Sequence, residues 1–181
     1  MRCSGIWVVS AIAMISLLWT PSSVLAESTV NWPQFRGQGA LGVSMSTGLP
    51  ERWSATENVA WKTDIPGRGW SSPVVWGNRV FLSTAITLGD LEEPKKGLYF
   101  GGERTDAPDS TTQWKVYCLD LETGAVLWER LAHEGVPVMP IHIKNSYASE
   151  TPVTDGERVY VLFGNLGLWC YDFEGNEVWK R

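Results

Sequence analysis

Two stretches of the chain follow one pattern, and each closes on a tryptophan. Ser72-Pro73-Val74 leads through Cys118-Leu119-Asp120 to Trp128, and Thr151-Pro152-Val153 leads through Cys170-Tyr171-Asp172 to Trp179. The opening segments align without a gap, Pro73 to Leu82 over Pro152 to Val161. A sheet unit repeated in this way cannot bury both of its faces alone, so it must stack on copies of itself.

Each copy predicts four strands. Gly77-Asn78 and Gly156-Glu157 lie between β-branched and aromatic runs, the signal of a hairpin whose glycine takes a positive φ. The third and fourth strands of the first copy flank Glu122-Thr123-Gly124, and those of the second flank Glu174-Gly175. Asp120 and Asp172 are placed to accept turn N–H groups, Gly124 and Gly175 to supply the left-handed residue, and Trp128 and Trp179 to present a large apolar contact to a neighbouring sheet. These residues are read as structural.

A third closing strand stands alone at Asn58 to Ile65, with Trp61 in the tryptophan position. In a ring of four-stranded blades such an orphan completes the blade formed by the C-terminus and leaves no open edge. The expected fold class is therefore all-β, an incomplete β-propeller of about two blades plus an N-terminal closing strand. A longer chain, or an assembly, would supply the rest. The expected divisions are a signal peptide at 1–26, an extended segment at 27–57, the closing strand at 58–65, a first blade at 66–133, a link at 134–149 and a second blade at 150–181.

The leader reading rests on Met1-Arg2, an apolar run from Ile6 to Leu18, and small residues at Val24-Leu25-Ala26. The run is shorter than the roughly 20 residues of a membrane helix. An exported protein, periplasmic or extracellular, is expected, with no membrane span in the mature chain. The formal net charge is −5, with 15 basic and 20 acidic residues and no basic stripe, which argues against a nucleic-acid partner. Cys118 and Cys170 occupy equivalent positions in stacked sheets about 10 Å apart, too far for a disulfide.

The first copy carries an inserted loop at 86–112 where the second has only Gly164 to Gly167, a charged excursion that suits a mobile loop, or else a functional lid or partner-binding loop. The densest polar cluster is the link from Pro140 to Glu150, which enters a first strand. From it His142, Lys144, Asn145 and Tyr147 are candidates to face a ligand or partner. Each could equally bond the backbone of a neighbouring loop. Gly37-Gln38-Gly39-Ala40-Leu41-Gly42 has the spacing of a dinucleotide loop but neither the strand before it nor the helix after it. No residue set is assigned a catalytic, cofactor or metal role.

The pattern Cys118-x-Asp120-x-x-Thr123-Gly124-x-x-x-Trp128 resembles the tryptophan-docking repeat of pyrroloquinoline-quinone (PQQ)-like β-propellers, and Cys170-x-Asp172-x-x-Gly175-x-x-x-Trp179 is a shortened copy lacking the threonine. With Trp32-Pro33-Gln34-Phe35-Arg36-Gly37 and Gly69-Trp70-Ser71-Ser72-Pro73, the mature chain is similar to secreted PQQ-like repeat proteins. The resemblance implies two activities. Some members are scaffolds, including the propeller that helps to assemble outer-membrane β-barrels; others are dehydrogenases oxidising alcohols or sugars with PQQ and calcium. The chain has neither the adjacent-cysteine pair of the alcohol-oxidising class nor a Cys-x-x-Cys-His haem site. The expected function is a protein-binding or assembly scaffold without a cofactor, its partners being other proteins or the remaining blades. A PQQ- and calcium-dependent dehydrogenase is the first alternative, and carbohydrate binding through Trp32, Trp53 and Trp70 is the second.

Overall fold

The computed structural model describes residues 31–90, 97, 109–142, 144–164 and 166–181. The expected signal peptide and most of the inserted loop lie outside the described residues.

The alternation of apolar residues around the two hairpin turns gives eight strands and, among the described residues, no α-helix. They are β1 (Val74–Trp76), β2 (Arg79–Thr87), β3 (Thr112–Asp120), β4 (Val126–Gly135), β5 (Val153–Thr154), β6 (Arg158–Phe163), β7 (Gly167–Asp172) and β8 (Glu177–Lys180). They form two antiparallel four-stranded sheets with the order β1-β2-β3-β4 and β5-β6-β7-β8. The architecture is all-β, an unclosed portion of a propeller with two blades. Both blades carry a register shift at the same place, between Cys118 and Leu119 and between Cys170 and Tyr171, so the repeat extends to the bulge.

Strand periodicity of two decides what each face of the first blade covers. Phe81 and Ala85 of β2 with Trp114, Val116 and Cys118 of β3 pack against Val159, Val161, Phe163, Trp169 and Tyr171 of the second blade, forming the main core. The intervening residues Val80, Leu82, Tyr117 and Leu119 turn the other way and meet Trp61 and Ile65. Residues 58–65 form no strand ladder among the described residues, yet they cover that face of the first blade.

Three aspartates build turns. Asp120 Oδ1 accepts from the N–H groups of Glu122 and Thr123 and from the Thr123 hydroxyl. Asp172 Oδ1 accepts from the N–H groups of Glu174 and Asn176, and Asp155 Oδ1 from those of Glu157 and Arg158. The Thr123 hydroxyl foremost holds Asp120 below the usual carboxylate range, the Asn176 side chain does so for Asp172, and the Glu157 N–H for Asp155. A depressed folded pKa contributes stability that is present above the unfolded value, about 3.9, and is lost as pH falls through the folded value. A thermal melting series below pH 5 should therefore show a flatter acid limb for a D120N/D155N/D172N variant than for the native chain. Parallel acid limbs would remove these turns from the account.

Cys118 and Cys170 are buried free thiols, unpaired with each other as their stacked positions predict. Burial is the main cause that pushes both thiols above their usual pKa.

Candidate functional site

The ladder registers fix which loops share a rim. Thr87 pairs with Thr112 and Thr112 with Gly135, so the β2–β3 and β4–β5 connections leave the first blade at one end. The opposite rim carries the hairpin turns, and there the blades are pinned to each other.

The pinning follows one rule at two places. Trp61 Nε1 donates to the Leu121 carbonyl at 2.8 Å, and Trp128 Nε1 donates to the Phe173 carbonyl at 2.9 Å. Leu121 and Phe173 each follow the turn aspartate of a blade. Two residues beyond each tryptophan, the Thr63 hydroxyl reaches the Gly124 carbonyl and Arg130 Nε reaches the Gly175 carbonyl, both at 2.6 Å. Each tryptophan thus docks on the third turn of the blade that follows it, and Trp61 occupies the place that a preceding blade's tryptophan would take. Arg79 adds to the second junction by donating to the Phe173 carbonyl at 3.0 Å.

On the other rim a cleft of about 210 Å³ opens between the blades. The link 136–152 supplies one wall, the β6–β7 turn the other, and Trp114 from β3 part of the floor. Trp114 is held there by its Nε1 donating to the Tyr147 carbonyl at 2.9 Å and by edge contact with the Tyr147 ring at 6.0 Å. The Tyr147 hydroxyl donates to the Met139 carbonyl at 2.9 Å, which shapes the link, and burial raises its pKa.

The four candidates of the link separate in space. Asn145 and Tyr147 line the cleft. His142 and Lys144 do not line it: His142 Nδ1 accepts the Lys144 N–H at 3.1 Å, its carbonyl accepts the Asn145 N–H at 2.7 Å, and Lys144 Nζ donates to the Gly97 carbonyl. A residue outside the predicted set is Glu150, among the described residues the single charged one in the cleft wall. Its Oε1 accepts the Gly164 N–H at 3.1 Å and its Oε2 accepts the Ser149 N–H at 3.3 Å. Alignment of the copies offers a signal for it, because Glu150 stands where the first copy has Ser71.

PQQ carries three carboxylates, and the lone charge among the described residues that line this cleft is another carboxylate, so that lining does not fit the group. Among the described residues no three His, Cys, Asp or Glu side chains converge as a metal-binding group. Nor is any helix among them long and apolar enough to cross a membrane.

A family model described as outer membrane protein assembly factor BamB, built on the PQQ-like repeat, matches residues 42–180. A search of curated proteins gave no match.

Proposed function

Because the chain belongs to the PQQ-like repeat family described as outer membrane protein assembly factor BamB, we propose that it is an exported envelope scaffold that binds other proteins during assembly. Scaffold and enzyme share this fold, so the reading must rest on surface chemistry and not on fold alone.

The observation that carries it is apolar exposure concentrated in the segment before β1. Leu41 is 70 % exposed, Met45 87 % and Trp53 72 %, with Phe35, Val43 and Leu49 also exposed. Large apolar side chains gathered in one stretch mark a surface that a partner covers. Val138 and Met139 extend the exposure to the rim that carries the cleft.

The far face of the second blade supports further blades as the other partner. Val74 is fully buried against the second blade, whereas its counterpart Val153 is 43 % exposed. Phe81 is fully buried, whereas its counterpart Tyr160 is only half-buried. Another four-stranded unit seated on that face would restore the pattern of the first junction.

Hydroxyl-radical footprinting of the native protein in its envelope fraction, compared with the purified protein, tests both parts. Met45 and Trp53 are expected to be protected only in the envelope fraction, and Trp179 in both. Equal oxidation of Met45 and Trp53 in the two preparations would overturn the scaffold, and Trp179 reacting as fast as Trp53 would remove the further blade. PQQ with calcium is expected to leave the melting temperature unchanged, since only a ligand that prefers the native state raises it. A saturable rise would favour the dehydrogenase.

A further inference from the structure

The cleft between the blades has a composition that selects its occupant. Aromatic and aliphatic walls from Trp114, Tyr147, Phe163 and Leu166 surround one carboxylate, that of Glu150. Among the described residues each carboxylate oxygen accepts a single backbone N–H. A carboxylate has about four acceptor sites, so both oxygens can still accept. Among the described residues no cation pairs with Glu150. The chain as a whole carries a net charge of −5, which favours the approach of a cationic partner.

Size narrows the choice. At about 210 Å³ the cleft is smaller than the roughly 300–1,000 Å³ of small-molecule sites, and it suits one long side chain. A guanidinium matches two free carboxylate acceptors through paired N–H groups and stacks on aromatic faces, which an ammonium does less well. Its aliphatic stem would lie along the apolar walls. At the mouth, Asn145 has its Oδ1 occupied by the Ser149 hydroxyl and retains its amide N–H groups for a carbonyl of the incoming backbone.

We infer that this cleft is a recognition pocket for a single arginine side chain of an extended partner peptide, with Glu150 pairing the guanidinium and Asn145 holding the adjacent backbone. The inference rests on the scaffold reading in taking a protein segment as occupant, and it places that contact on the loop rim.

The test uses the full chain and fluorescence anisotropy of a dye-labelled Ac-Gly-Ser-Arg-Ser-Gly peptide, beside the same peptide with citrulline, which is neutral and nearly isosteric. The arginine peptide is expected to bind saturably, at least about tenfold more tightly than the citrulline peptide, and more weakly as salt is raised. Glu150→Gln should weaken it at least about tenfold and leave citrulline binding unchanged. Met139→Trp, at an exposed wall position, should block both peptides by filling the mouth; Met139 is 51 % exposed, so this variant keeps the core intact. Equal affinity for the two peptides, or an arginine affinity unmoved by both variants, would overturn the proposal. No saturation by the peptide or by n-butylguanidinium would overturn the pocket and leave the scaffold reading standing. Binding of n-butylguanidinium as tight as that of the peptide would overturn the peptide as occupant and count against the scaffold reading too.

Discussion

Trp128→Ala is expected to destabilise the chain by about 3–5 kcal/mol, the usual range for deleting a large buried aromatic side chain. Trp128 is 8 % exposed and lies where the two blades meet. Its ring sits 6.0 Å from that of Phe81 and 6.2 Å from that of Tyr171, and the Arg130 guanidinium lies 5.4 Å from it. Removing it opens a cavity between two sheets that are each pinned by hydrogen bonds and cannot collapse freely into the gap. Two comparisons isolate the cause. Trp128→Phe keeps most of the apolar contact and loses the Nε1 bond, but the Phe173 carbonyl retains Arg79 as a donor, so a cost of about 1 kcal/mol is expected. Trp179→Ala removes the same repeat residue from a half-buried site where the ring faces Tyr160 at 6.0 Å, and should cost clearly less than Trp128→Ala. Urea midpoints of the three variants decide the matter. Equal losses for Trp128→Ala and Trp179→Ala would mean that the tryptophan stabilises its own blade and not the junction.

Much of this junction is legible in the sequence because it uses residues with restricted chemistry. Asp120, Gly124 and Trp128 recur as Asp172, Gly175 and Trp179 at nearly fixed spacing, and each has a physical task that few other residues perform. The hairpins at Gly77 and Gly156 were readable for the same reason. What the spacing does not reveal is direction. Nothing in one copy says that Trp128 reaches forward to the Phe173 carbonyl and not back to its own turn; that depends on how two sheets stack. Strand lengths are also set by context. β2 runs from Arg79 to Thr87, whereas β6 covers only Arg158–Phe163, although both follow the same hairpin turn. Residues 58–65 have the sequence of a strand but form no ladder, since a strand exists only beside a hydrogen-bonded partner. The cleft was the least legible part. It is built from Trp114 in one blade, the link, and Phe163, Gly164 and Leu166 in the other, so Glu150 gains meaning only once these are brought together. His142 and Lys144 stand in the same polar run as Asn145 and Tyr147, and sequence alone offers no means of separating them.

Gly175→Ala is expected to cost roughly 2–4 kcal/mol, and the manner of its loss tests the docking rule more sharply than the tryptophan does. Gly175 has φ +81°, where an alanine is disfavoured by about 1–2 kcal/mol whatever surrounds it. A Cβ there would also lie 2.8 Å from Trp128 Cδ2 and 3.0 Å from Arg130 Nη2, so the indole must lift away and strain its bond to the Phe173 carbonyl. The two contributions separate in a double-mutant cycle. In a Trp128→Ala background the indole is absent, and Gly175→Ala should cost only the backbone part, about 1–2 kcal/mol. The departure from additivity, a double mutant less destabilised than the sum of the singles, measures the contact between blades. The first junction should behave alike, because Gly124 has φ +70° and its Cβ would lie 2.3 Å from Trp61 Cε3. Strict additivity at both glycines would mean that they serve only their own turns. Coupling at both would establish that one tryptophan-on-glycine contact joins residues 58–65 to the first blade and the first blade to the second, as a ring of stacked blades requires.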